Sequence, residues 1–191
     1  MRILALVLLL AAAAWRILAP HVPELNNFSP LMALAFCGGM YFRNRWMWLV
    51  PFGALLLSDL YLDHYYWVEF HYRWTTSGAA LRQLCFASGL LIGYQLSGRR
   101  SWATLFGGAL GASLLFFLVT NTASWFGDVY YAHTAAGWWQ AMTVGHPQFP
   151  STLYFYRNTL ASDLLFTGVF GLAMEYAAWR EGKPSLLGKH A

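Results

Sequence analysis

The chain has 191 residues, of which 58% are hydrophobic and only 10% charged, with a formal net charge of +4. Soluble domains carry about 25% charged residues, so this composition excludes intrinsic disorder and argues against a water-exposed globule. The length allows one bundle and no added soluble domain, no GxxxxGK[ST] phosphate loop is present, and the basic residues sit at helix ends rather than in a nucleic-acid-binding patch.

A helix needs roughly 17–25 mostly apolar residues to cross a hydrocarbon core. Six stretches near that length predict an all-α integral membrane protein, a single six-transmembrane-helix bundle. The first covers about residues 2–19. Arg2, an apolar run and Ala11 to Ala14 also suggest a signal peptide. Trp15 and Arg16 follow directly, however, and the apolar pattern resumes at Ile17, so an uncleaved helix is expected. The second covers about 29–42, with Ser29 as its cap and Pro30 at its first position. The third covers about 46–62. The fourth, about 79–97, follows a break at Thr75, Thr76, Ser77 and Gly78. The fifth covers about 102–126 and the sixth about 159–179. Gly107-xxx-Gly111 and Gly108-xxx-Ala112 in the fifth are small-residue faces suited to close packing, within the bundle in the first instance and at a dimer interface as the alternative.

Charge sets the orientation. Arg2, Arg43, Arg45, Arg99, Arg100, Arg180, Lys183 and Lys189 all fall on one side of a six-span arrangement, against Arg16, Arg73, Arg82 and Arg157 on the other. The positive-inside rule makes the first side cytoplasmic, with both termini there. The outer loops are then residues 20–28, 63–78 and 127–158.

Charged residues inside lipid are costly and mark function or internal pairing. Asp59, Asn121, Asn158 and Asp163 fall near the outer ends of their helices, where they form either a structural clamp or a ligand-contacting cluster. Glu175, nearer the other end, is placed to snorkel or to pair with Arg180. The long outer loops are dense in aromatic residues and histidine, more than an interfacial belt requires. Tyr66, Trp67, His71, Tyr72, Asn121, Trp125, Tyr131, His133 and Asn158 are the candidate ligand-binding residues, in keeping with an aromatic pocket holding a few polar groups. Cys37 and Cys85 lack CxxC spacing, and His64, His71, His133 and His146 lack HxxxH spacing, so no dedicated protein-bound metal is predicted. Cys85 stands about two turns in from the outer side, at pocket depth.

Several local motifs carry a family resemblance over about residues 26–171. They are Asn27-Phe28-Ser29-Pro30 with Ala33-Leu34-Ala35, Gly38-Gly39 and Tyr41-Phe42; Leu57-Ser58-Asp59-Leu60; Leu115-Phe116-Phe117 with Thr120-Asn121 and Trp125; and Arg157-Asn158-Thr159-Leu160 followed by Asp163-Leu164. A six-span protein of this length with both ends inside, no ATPase and an aromatic outer mouth looks like the substrate-binding S component of energy-coupling-factor (ECF) vitamin transporters. The motifs together resemble a bacterial membrane family related to S components whose members mostly lack an assigned function. Within that group the solitary cobalamin transporters of the BtuM type are the closest functional match. The resemblance implies a multi-pass protein of the bacterial cell inner membrane that takes up a small-molecule vitamin, cobalamin (vitamin B12), from the outer face. It implies an ECF ATPase module as partner, or none in a solitary member, with the first helix's alanine face or Ala35-xxx-Gly39 as the contact. It also implies Cys85 as the cobalt ligand, and a soft thiolate suits a transition metal within a corrin. Cys85 would then exchange a ligand on cobalt, a chemical step within a transporter. Two other classes stay open. One is an intramembrane enzyme acting on a lipid or quinone through Asp59, Asp163 and His133. The other is a structural subunit of a membrane complex.

Overall fold

The computed structural model describes residues 2–22, 25, 27–42, 44–71 and 75–188. Among these residues every regular element is helical: α1 (Arg2–Leu18), α2 (Leu31–Tyr41), α3 (Leu49–Phe70), α4 (Thr76–Leu96), α5 (Trp102–Gly127), α6 (Ala135–Met142) and α7 (Thr152–Arg180), with 3-10 turns at Ala19–His21, Arg45–Trp48 and Ser97–Arg99. Three segments, Ile3–His21, Trp102–Gly127 and Thr152–Arg180, are long and apolar enough to cross a membrane.

Hydroxyl caps set four of the helix starts. The side chains of Thr75, Ser101, Thr134 and Ser151 accept from the backbone amides of Gly78, Thr104, Gly137 and Tyr154, at 3.1, 3.0, 3.2 and 3.2 Å. Each satisfies one amide that the first helical turn leaves open. These caps explain why two helices begin earlier than hydropathy predicts. α4 starts at Thr76 rather than 79, and α7 starts at Thr152 rather than 159. The expected loop 127–158 therefore holds α6 and the first two turns of α7. The expected loop 63–78 is also mostly helix. α3 runs on to Phe70 and stops where His71 takes the left-handed conformation, with φ 54°.

α2 is the axis of the bundle. Every residue from Leu31 to Met40 is buried. Its 11 residues reach roughly 17 Å at the helical rise, about half a hydrocarbon thickness. The neighbours that enclose it make that length tolerable. The packing against α4 is backbone to backbone. A Cβ on Gly39 would stand 2.0 Å from the Leu90 carbonyl oxygen, and one on Gly93 would stand 2.1 Å from that of Phe36. Gly89-xxx-Gly93 on α4 thus faces Ala35-xxx-Gly39 on α2, the small-residue geometry that holds helices together where lipid removes the hydrophobic drive. The expectation that Ala35-xxx-Gly39 docks a partner subunit is corrected: that face is consumed inside the molecule.

Pair contacts fix the helix directions. Met32 and Ala35 meet Gly89, and Phe36 and Met40 meet Gly93, so α2 and α4 run parallel. Met32 meets Asp163 and Tyr41 meets Glu175, so α7 runs the same way. Phe117 stacks on Tyr156 while Leu105 approaches Gly171, so α5 runs opposite to α7. The start of α1 and the end of α7 consequently lie at one end of the bundle. On α5, Gly108 packs against the Phe36 ring and Ala112 is fully buried, whereas Gly107 and Gly111 face open space. Leu10, Leu57, Leu84, Leu110 and Leu165 stand exposed on the outer surface, an apolar exterior suited to lipid rather than water.

Candidate functional site

At the end where α1, α3 and α5 finish and α2, α4 and α7 begin, six helix ends line an open-sided cavity of about 280 Å³. Arg16, Tyr66 and Arg82 form part of its wall. Phe116, Phe117, Thr120 and Asn121 from α5 form another part, with Phe155, Tyr156 and Thr159 from α7. Asn27, Ser29 and Leu31 close it from the α2 side.

The cavity's charge comes from a buried network. Arg16 and Asp59 are ion-paired and nearly sealed, at 3% and 5% exposure. Arg16 also donates to the Ser58 hydroxyl and, at 3.2 Å, to the Leu55 carbonyl. The second Asp59 oxygen accepts from Arg82 Nε at 3.4 Å and Gln83 Nε2 at 3.1 Å. One carboxylate is thus shared by two guanidiniums on different helices, tying α1, α3 and α4 together. The neutral side chains are held by their own helices. Asn121 donates to the Phe117 carbonyl at 2.8 Å, and Thr120 to that of Phe116 at 2.8 Å. Phe117 and Tyr156 stack with centroids 4.2 Å apart.

Of the sequence-derived candidates, the structure places Tyr66 and Asn121 on this cavity. Cys85 is buried on α4, one turn inward from Arg82, and is not among the residues lining it. Asn158 is buried on α7, with Arg157 3.4 Å away. Trp67 lies on the exposed face of the last turns of α3, with His71 beside it at 6.1 Å. Trp125 donates to the Ala132 carbonyl at 2.9 Å and packs edge-on against His133, and Tyr131 is buried next to Tyr130. These three build an aromatic cover at the ends of α5 and α6, apart from the cavity wall. Burial raises the Tyr131 phenol above its ordinary range, with Asp128 and Tyr130 adding to the effect. Tyr72 lies outside the described residues, as do Arg43, Arg73 and Lys189.

The expected single cluster of Asp59, Asn121, Asn158 and Asp163 is corrected to separate networks. Asp163 does not share the Asp59 network; its Oδ1 accepts from the amides of Met32 and Ala33, both at 3.0 Å. It therefore caps α2 from another helix, and Ser29, expected as that cap, makes no capping bond. Asp59, Asp163 and His133 share no hydrogen bond or ion pair among the described residues. No group of three or more His, Cys, Asp or Glu able to hold a metal occurs among the described residues, and Cys37 and Cys85 are free thiols. Sequence reasoning overlooked Arg16 and Arg82 because both counted only as topology charges. A lone arginine inside an otherwise apolar helix was the signal.

The opposite end carries a wider groove of about 800 Å³ between α2, α4 and α7. Glu175, 1% exposed, anchors it. The carboxylate accepts from Tyr41 at 3.1 Å, from Arg100 at 3.4 Å and from the Leu186 amide at 2.8 Å, drawing the segment after α7 across the groove. Arg100, not Arg180, is its cationic partner.

A family model described as a family of unknown function (DUF6580) matches residues 1–185, and the chain belongs to that family. No curated protein and no solved structure matches.

Proposed function

We propose that this protein is the substrate-binding component of a vitamin-uptake system, similar to ECF S components, that takes its ligand at the Arg16 end of the bundle. The observation that carries the proposal is the open-sided cavity at the helix ends. Six helix ends converge on a space that mixes aromatic walls with buried charge, in a molecule whose exterior is apolar. In this reading α1, α2, α3, α4, α5 and α7 are the six spans, and the molecule sits in a bacterial inner membrane. Arg99, Arg100, Arg180 and Lys183 mark the far end as cytoplasmic, leaving the cavity outside. The wide groove at the far end is then the release side, where an ATPase module or the chain's own rearrangement acts.

Cobalamin is the first vitamin to test. Cys85 lies one turn inward from Arg82, and its neighbour Phe86 stacks on the cavity residue Phe116 with centroids 6.2 Å apart. The cavity of about 280 Å³ is smaller than a corrin, so in this reading the aromatic pair separates and the cavity widens before the ring reaches the Cys85 thiol. The test is an absorption spectrum of protein purified in detergent after growth with cobalamin. A shifted corrin band that returns to the free position in Cys85→Ala establishes the ligand and the thiolate contact. Colourless protein that also fails to bind added cobalamin removes cobalamin from the proposal.

A further inference from the structure

Taking the Arg16-end cavity as the ligand site, we propose that it recognises its ligand through a compact oxyanion, a carboxylate or a phosphate, held between Arg16 and Arg82. The described lining contains two guanidiniums and no carboxylate. Asp59 binds both arginines from behind and does not line the cavity. Arg16 is 3% exposed, and its Nε has no hydrogen-bond partner among the described residues. The two Nη atoms are already directed to Leu55, Ser58 and Asp59. A guanidinium offers its donors in a planar fork, so an acceptor on the Nε edge completes it, and carboxylate and phosphate oxygens match that fork.

Two further features favour an anion. Ser29 also lines the cavity, and its hydroxyl is buried without a hydrogen-bond partner among the described residues, a further neutral donor beside the arginines. Phe116 and the Phe117–Tyr156 stack form an apolar wall, which lowers the local dielectric and strengthens any charge pairing made inside. Size narrows the class. Water takes about 30 Å³ each in the liquid, so about 280 Å³ admits a group of roughly ten heavy atoms. The oxyanion comes either from a soluble acid or from an anionic lipid headgroup, which present the same oxygens.

The experiment uses the full chain in phosphatidylcholine nanodiscs and follows its thermal midpoint against inorganic phosphate and, separately, acetate, with chloride at matched ionic strength as control. The expected result is a saturable rise with phosphate or acetate and none with chloride. Arg82→Gln weakens the apparent affinity at least about tenfold, and Arg82→Lys keeps part of it. Arg16→Gln should do the same, but it opens a buried ion pair and can prevent folding. Arg82, at the cavity edge with 17% side-chain exposure, therefore carries the decision. Repeating the series in phosphatidylglycerol nanodiscs identifies the source. A raised midpoint that abolishes the phosphate response assigns the oxyanion to lipid, and an unchanged response assigns it to a soluble acid. No saturable shift in either lipid, or an undiminished shift in folded Arg82→Gln, overturns the inference. Phosphate binding without cobalamin binding removes the vitamin and leaves the oxyanion site. Cobalamin binding that ignores both arginines does the reverse.

Discussion

The Asp163 carboxylate on α7 lies 3.0 Å from the backbone amide of Met32 on α2, 131 residues away in sequence. A second bond of 3.0 Å to Ala33 completes the cap. The N-terminal turn of a helix carries open amides and partial positive charge, and here both are answered by a carboxylate from a different helix. The central helix of the bundle is thereby docked at its start by a single side chain.

Asp163→Ala should cost about 3 kcal/mol, because two buried amides lose a charged acceptor. Asp163→Asn keeps one carbonyl oxygen in place and should lose about half as much. Thermal unfolding in detergent distinguishes these. Equal midpoints for wild type and Asp163→Ala would show that the cap carries no stability.

Gly39 and Gly93 predict a sharp contrast with Gly107 and Gly111. A methyl group on either of the first pair stands 2.0 and 2.1 Å from a carbonyl oxygen, far inside van der Waals contact, with backbone that cannot step aside. Gly39→Ala and Gly93→Ala should each separate α2 from α4 and reduce the yield of folded protein. Gly107→Ala and Gly111→Ala meet nothing within 4 Å and should stabilise α5 by up to about 1 kcal/mol through helix propensity. Monodispersity and thermal midpoint of the four variants decide it; a uniform response would contradict the close crossing.

The Arg16–Asp59 pair is a second buried tie, and its energetics should be non-additive. Asp59→Ala leaves Arg16 charged and uncompensated at 3% exposure, costing about 3–5 kcal/mol. Arg16→Met with Asp59→Ala removes both members of the pair and should recover part of that loss, the remainder being the acceptor that Arg82 and Gln83 also lose. A double-mutant cycle on unfolding free energy measures the coupling. Additive effects would mean that the two side chains act independently.

Much of this architecture was legible from hydropathy. The segments at 2–19 and 102–126 nearly match α1 and α5, because apolar residues dominate both. The ends of α3 and α7 were not, since Asp63 to Phe70 and Thr152 to Asn158 are aromatic and polar. Such residues look like interfacial loop in a hydropathy profile yet continue a helix that caps and neighbours support. Ser151 was a readable start signal that hydropathy outweighed. The site was half legible. Tyr66 and Asn121 followed from the expectation that an aromatic and polar mouth binds ligand. Arg16 was legible only as a lone arginine in an apolar helix; its role depends on Asp59, 43 positions away, and no local pattern encodes that pairing.

At the far end, Glu175 predicts a measurable latch. Its Oε2 accepts the Leu186 amide at 2.8 Å, while its backbone carbonyl accepts from the Ser185 hydroxyl at 2.8 Å. A hydrogen bond to a charged group contributes about 1.5–3 kcal/mol, so Glu175→Ala should speed hydrogen exchange at Leu186 by roughly 10- to 100-fold. Amides of α2 outside its last turn should keep their protection, since their bonds do not involve Glu175. Arg100→Gln removes the cationic partner 3.4 Å away but leaves the Leu186 bond, and should speed exchange less. If the groove is the release side, loosening this segment should also raise the dissociation rate of bound ligand. Exchange at Leu186 that is the same in wild type and Glu175→Ala would show that the segment is held by packing of Leu186 against the core rather than by the carboxylate.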